Sequence, residues 1–190
     1  CRDLADSAGH AALWEEISRI MPAYDTVLVA YGSLPDQQAC QADYSSAEQA
    51  FKVNFLSVVS LLTFVANVFE AKRCGTIAVI SSVAGDRGRQ SNYIYGTAKG
   101  ALSIFLQGLR NRLHAAGVTV VTIKPGFVNT PMTAGLAKGA LFVGPEVIAR
   151  GIFKAIDKSK DVVYLPWFWF LIMALIKAVP EFIFKRQRKL

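Results

Sequence analysis

A chain of 190 residues that is 53% hydrophobic and 18% charged is long enough for one domain with a sizeable core and too apolar to be disordered. Its formal net charge of +7 is uneven: Lys185, Arg186, Arg188 and Lys189 supply four charges within the last six residues, leaving +3 over the other 184. The basicity is therefore a local feature of the tail and gives no support for nucleic acid as a partner. Cys1, Cys40 and Cys74 lack the paired spacing of a zinc site and read as free thiols of a reducing compartment. His10 and His114 have no ligand partners at useful spacing, so they read as surface helix residues and no metal is expected.

The chain opens on Cys1 rather than Met, in a stretch (CRDLADSAGH) that reads as a strand-to-loop junction, and an internal fragment is expected. Apolar positions at helical spacing from about Ala8 to Ile20 predict a helix ended by Pro22. The β-branched run Thr26 to Ala30 predicts a buried strand closed by Tyr31 and Gly32. Ser45, with Gln49 four residues on, is an approximate capping signal for a long helix over about Ser46 to Lys72. Phe51, Phe55, Val58, Leu62, Val65 and Phe69 would form its apolar face, as core or as a helix-pair dimer interface.

Gly75 turns the chain into a strand at Ile77 to Ile80, with Ser81 and Ser82 where the strand runs out. A polar loop leads to a helix that opens at Tyr95-Gly96-Thr97-Ala98-Lys99 and runs to a cap at Gly117. Val118 to Ile123 is another buried strand, stopped by Pro125 and Gly126. Pro145, at a tolerated first-turn position, opens a further helix. Asp161 to Leu165 is a short final strand ended by Pro166. Strands alternating with helices of this length imply βαβ units: an α/β, doubly wound parallel sheet with helices on both faces. Ligands bind such sheets outside the carboxyl ends of the strands, where Ser82, the turn after Ala30 and the Pro125-Gly126 turn would converge.

Tyr95 and Lys99 are four residues apart and so share one helix face. A phenol beside an ammonium and a strand-end hydroxyl is a set of parts for proton transfer to a carbonyl. A free phenol titrates near ~10 and is a poor base at neutral pH, but a nearby cation favours its anion. Ser82 would hold the substrate oxygen as charge builds on it.

These residues resemble the short-chain dehydrogenases/reductases. Tyr95-Gly96-Thr97-Ala98-Lys99 is similar to the family's YxxxK motif, Ser82 precedes Tyr95 by 13 positions, and Asn54 precedes it by 41. Pro125 to Thr130 (PGFVNT) is similar to the family's PGxxxT turn. The resemblance spans nearly the whole chain and implies a Rossmann-like fold and hydride transfer between NAD or NADP and a carbonyl or alcohol. It implies catalytic roles for Asn54, Ser82, Tyr95 and Lys99, with Lys99 also gripping the nicotinamide ribose and Asn54 positioning water. Tyr93 is a competitor for the acid role, but Thr97 stands four residues on from it. Cofactor contacts are implied at Asp3, Leu4, Gly32, Tyr95, Lys99, Pro125, Gly126, Val128 and Thr130. Thr130 as a plain helix cap and Asp3 as a surface acid stay open beside those roles.

Two departures stand out. The family's Asn-Asn-Ala-Gly is here Val29-Ala30-Tyr31-Gly32, and the glycine-rich phosphate turn is nowhere in the sequence. The first two or three strands are expected to be missing with it, so the chain alone is not expected to bind a nicotinamide cofactor.

The domain is expected to cover residues 1–190, with 166–190 an apolar, basic-tailed C-terminal segment. The run Trp167 to Ile176 reads as a core element covering the substrate pocket, as an interfacial anchor with its basic tail on anionic lipid, or as a membrane span. Even with Val162 to Leu165 it is shorter than the ~20 residues a span needs. The tail pattern is similar to reductases of a polyprenyl-phosphate-linked keto-sugar. That similarity implies a lipid-linked or small-molecule carbonyl substrate and a cytoplasmic enzyme, peripheral on the inner face of the membrane; the family often forms homo-oligomers. Arg87 and Arg89 read as solvated loop charges or as contacts to a substrate phosphate. The rival function is a non-catalytic member that binds a membrane or protein partner through its tail.

Overall fold

The computed structural model describes residues 2–187, so Cys1, Arg188, Lys189 and Leu190 lie outside it. Four strands, β1 (Thr26–Val29), β2 (Thr76–Ile80), β3 (Thr119–Pro125) and β4 (Val162–Leu165), form one sheet in the order β1-β2-β3-β4. Every pairing is parallel, with Val29 opposite Val79, Ile80 opposite Ile123 and Pro125 opposite Leu165. Parallel neighbours need crossovers. Here they are α1 (His10–Ile20) ahead of the sheet, then α2 (Gln37–Ala42), α3 (Tyr44–Phe51), α4 (Ser57–Lys72), α5 (Tyr93–His114) and α6 (Pro145–Asp157). Two short helices, α7 (Phe168–Ala178) and α8 (Glu181–Phe184), close the described chain.

The sheet is covered on both faces, as the alternating pattern predicts. One core joins Trp14 of α1, Leu62, Val65 and Phe69 of α4 and Leu102, Leu106 and Leu113 of α5 to Val29, Ile77 and Val79. The other packs Ile148, Ile152 and Ala155 of α6 on Ala78, Val121 and Ile123. Side chains such as Phe69 and Leu102, with no exposed surface, each contribute about 1.5–3 kcal/mol by burial. The helical run Tyr44–Lys72 is long and apolar enough to cross a membrane, but this face is buried in the first core.

Three expectations are corrected. β1 is half-exposed rather than buried, with Leu28 45% exposed, because among the described residues it is hydrogen-bonded to a neighbour on one side only. The expected helix over Ser46 to Lys72 begins two residues earlier, and its cap is Asp43, not Ser45: the Asp43 carboxylate accepts from the Ser45 and Ser46 backbone N–H groups. A carboxylate at that position meets the orphan donors more strongly than a hydroxyl. His10 is buried rather than on the surface, because its ring bridges Ser60 Oγ (3.0 Å) and the Leu4 carbonyl (3.1 Å), tying the chain start to α4.

Candidate active site

A cavity of about 370 Å³ opens where the carboxyl ends of β1, β2 and β3 meet. It is lined by Gly32, Ser82, Tyr95, Lys99, Pro125, Gly126, Val128 and Thr130, so eight of the expected site residues share one space. Tyr93, the rival acid, is 39% exposed and does not line it. Asn54 does not line it either, but sits directly behind its wall. Asp3 and Leu4 lie elsewhere, on a separate pocket with Arg2, Asp6 and His10, where Asp3 Oδ1 accepts from the Ala5 N–H at 2.9 Å.

Ser82 is carried by the end of β2 and by a 3₁₀ turn, Val83–Asp86. That turn lies backbone-to-backbone on the first turns of α5: a Cβ on Gly85 would fall 2.6 Å from Gly100 N, and one on Gly96 would fall 2.8 Å from Ala84 O. Only glycines allow this approach, which brings Ser82 to the Tyr95 phenol as its hydrogen-bond partner. Ser81 locks the same contact from behind, donating to the Lys99 carbonyl at 2.9 Å and meeting Ser103 Oγ at 2.8 Å.

Tyr95 and Lys99 share a face of α5, as their spacing predicts, and Lys99 Nζ lies 5.9 Å from the Tyr95 ring centroid. The electrostatics differ from the expectation that Lys99 holds the phenol toward its anion. Burial pushes the Tyr95 pKa up, and what pulls it down is the hydrogen bond from Ser82. Lys99 is itself buried, 3% exposed, and burial lowers its pKa to about 8. The ammonium donates to the Ile80 carbonyl at 3.0 Å; an ammonium has three donors, so two remain for a ligand.

Asn54 sits in a π-helical turn, Lys52–Leu56, between α3 and α4. Such bulges re-aim a side chain without breaking the helix. Its Nδ2 donates to the Ala50 carbonyl at 3.0 Å, while Oδ1 accepts from the Ser33 N–H at 3.1 Å. A Cβ on Gly32 would stand 2.9 Å from Asn54 Oδ1 and 3.5 Å from Lys99 Nζ. One bare backbone position thus joins Asn54, Lys99 and the cavity. Tyr31, in the departure from Asn-Asn-Ala-Gly, also lines the cavity, its hydroxyl anchored on Ser57 Oγ at 3.0 Å.

Thr130 is the N-cap of a 3₁₀ turn, Pro131–Thr133, and also lines the cavity, so cap and wall are one residue. Gly126 has a requirement the motif does not reveal: a Cβ there would stand 1.9 Å from the Trp169 indole, so the turn is moulded on α7. The pocket fits the nicotinamide riboside half of a dinucleotide: a backbone approach at Gly32, an ammonium with donors to spare and the Pro125–Thr130 turn. No glycine-rich turn accompanies them to receive a diphosphate.

Asp86, Lys124 and Tyr164, which the sequence did not single out, help to frame the site. Lys124, just before the Pro125 turn, forms an ion pair with Asp86 at 2.5 Å, their side chains 11% and 3% exposed. Tyr164 of β4 donates to the other Asp86 oxygen at 2.6 Å, and burial, then the Asp86 contact, pushes its pKa far up. Arg87 is neither solvated nor a ligand contact, against both sequence readings. It donates to the Ile176 (2.5 Å) and Val179 (2.6 Å) carbonyls at the end of α7, pairs with Glu181 at 3.0 Å and lies 3.7 Å from the Phe184 ring centroid. Free carbonyls at a helix C-terminus attract a cation.

A family model described as short chain dehydrogenase matches residues 1–140. An uncharacterized oxidoreductase of Mycobacterium tuberculosis is 34% identical over 185 residues, 97% of this chain and 74% of that protein. A solved short chain dehydrogenase/reductase family protein is 25% identical with a TM-score of 0.74, covering 85% of this chain and 72% of that one. A short-chain dehydrogenase of Burkholderia cenocepacia, solved in complex with NADP, shares the fold at a TM-score of 0.84 and 16% identity, over 97% of this chain and 76% of its own.

Proposed function

This chain belongs to the short-chain dehydrogenase family of oxidoreductases, and from that premise we propose that its cavity is where hydride passes between NAD or NADP and a carbonyl or alcohol. The single observation that carries the reading is the convergence of Ser82, Tyr95 and Lys99 on one cavity at the strand ends. A nicotinamide, when bound, supplies or accepts the hydride. Lys99 binds its ribose with the two donors not used by Ile80, and Gly32 allows it to come close. Ser82 orients the substrate oxygen by hydrogen bond and stabilises charge that develops there. Tyr95, its phenol kept protonated by burial, donates its proton to that oxygen in reduction and takes one back in oxidation. Asn54 braces the Ser33 backbone behind Gly32, and the family resemblance supports a part for it in positioning a relay water.

Tyr95→Phe in the full-length protein removes the proton donor and leaves the cavity's shape. Turnover should fall by about 10²–10⁴-fold, with cofactor affinity by fluorescence titration unchanged; turnover within twofold of the parent sinks the mechanism.

A second reading concerns the C-terminal segment. Trp167, Phe170, Leu171 and Leu175 are 71%, 58%, 52% and 72% exposed, and their spacing puts them on one helix face. Lys177 on the same helix, and Lys185 and Arg186 further along the chain, are exposed too. An aromatic and aliphatic face with cations alongside supports peripheral contact with an anionic lipid surface; α7, 11 residues and about 16 Å long, is too short to cross. The narrower expectation of a lipid-linked keto-sugar substrate draws its support from the same face. Leu171→Gln with Leu175→Gln should release the protein from vesicles containing phosphatidylglycerol. Undiminished co-sedimentation excludes the reading, and concentration-dependent dimerisation lost in the same variant assigns the face to a second copy.

A further inference from the structure

Arg89 follows Arg87 by two residues in the loop between Ser82 and Tyr95, yet it has none of its neighbour's partners. Among the described residues no hydrogen bond or ion pair reaches its guanidinium, and its Nε is shut off from solvent with nothing to donate to. It lines the same cavity as Ser82, Tyr95 and Lys99. Asn92 stands on that wall too, its Oδ1 likewise buried without a partner; an amide turned about its last bond presents its NH₂ group to the same space.

The carboxylates that would ordinarily neutralise this arginine are engaged elsewhere. Asp86 is held by Lys124 and Tyr164. Glu181, which lines a second pocket together with Arg89, is paired with Arg87. Among the described residues no Asp or Glu lines the cavity, and two cations do, Arg89 and Lys99. Facing them are apolar side chains, among them Phe127, Met132 and Leu136. A half-buried guanidinium without a counter-charge is costly, and its pKa is lowered by that burial. An arriving oxyanion offsets the cost with a bidentate, charge-assisted contact, the geometry for which a guanidinium is suited and an ammonium is not.

We infer that the substrate of this cavity is an anionic carbonyl compound, whose carboxylate or phosphate is gripped by Arg89 and the Asn92 amide while its carbonyl faces Ser82 and Tyr95. The inference rests on the cavity being the carbonyl-binding site. It makes Arg89 a specificity residue, since a site with a half-buried, unpaired cation discriminates against the neutral analogue that leaves it unpaired.

The test is equilibrium binding, independent of turnover: calorimetric titration of the full-length protein with 3-oxobutanoate and with its uncharged methyl ester at equal ionic strength. The acid should bind about 10–100-fold more tightly than the ester. Arg89→Gln, close in size and without the charge, should abolish the preference. Arg89→Lys should keep only part of it, and Asn92→Asp should weaken the acid selectively. Equal binding of the two probes to the parent protein, absence of binding included, overturns the proposal, as does a preference that survives Arg89→Gln. Tyr95→Phe should leave the preference intact, so a failure of the proton-transfer reading is told apart from a failure of this one.

Discussion

Two buried lysines and two loop arginines divide the molecule into regions of opposite character. On the C-terminal side, Lys124 is neutralised by Asp86, and Arg87 by the end of α7 and Glu181. On the cavity side, among the described residues, Lys99 donates only to a neutral carbonyl and Arg89 has no partner. The chemistry of the side chains is the same in both regions; the supply of carboxylates differs. A cation given a carboxylate holds two segments together, and a cation denied one is left to meet a ligand. The two regions touch in the loop after Ser82, where Asp86 and Arg87 bolt the cavity's wall to β4, α7 and α8.

The comparison breaks most sharply at Lys99. Lys99→Met should cut turnover by about 10²-fold or more, as expected when a charge acting on the reaction is removed, yet raise the midpoint of thermal unfolding at pH 7 by a few degrees. The sign follows from a folded-state pKa of about 8 against an ordinary value near ~10.4. The unfolded chain holds the proton more tightly, so Lys99 destabilises the fold below about pH 8. That penalty is relieved as pH rises from about 8 toward the ordinary value. The parent should therefore gain stability over that range relative to Lys99→Met; parallel melting curves across it would falsify the unpaired assignment.

Asp86→Asn should do the reverse, leaving Lys124 buried without its counter-charge. A loss of about 3–5 kcal/mol is expected, or roughly 10 °C in a chain of this size, measured by calorimetry; a midpoint within 2 °C of the parent removes the pair from the framework. Arg87→Ala should cost about 1.5–3 kcal/mol and speed proteolysis within residues 166–187 ahead of global unfolding. Cleavage at an unchanged rate means α7 is held by its apolar contacts with Val83, Phe127 and Tyr164. The smallest effect belongs to Arg89→Gln, which breaks no contact in the fold and should shift the melting midpoint by no more than about 1 °C.

The proposed catalytic set was legible because its signals are local. Tyr95 and Lys99 are one helical turn apart, and Ser82 ends a strand whose run, Ile77 to Ile80, can be seen in the letters. The convergence of strand ends followed from the βαβ alternation alone. Asp86 was not legible, because its partners Lys124 and Tyr164 are 38 and 78 positions away and nothing in the surrounding letters distinguishes it from a solvated loop acid. Arg87 and Arg89 looked alike for the same reason. Their difference is the end of α7, some 90 positions on.

β1 read as buried because a continuous apolar run looks the same in the middle of a sheet as at its edge; the pairing, not the run, sets its exposure. The Pro125-Gly126 turn shows both halves of the matter. That it closes a strand is written in two adjacent residues, because proline and glycine act through their own backbone. That Gly126 can carry no side chain is imposed by Trp169, 43 residues later, because close packing is a property of what arrives in space rather than of what stands next in the chain. Periodicity and backbone chemistry set the strands, the helices and the Tyr95–Lys99 face, since those depend on near neighbours. Which cations are neutralised depends on where distant carboxylates and carbonyls come to rest, and that is settled when the segments pack.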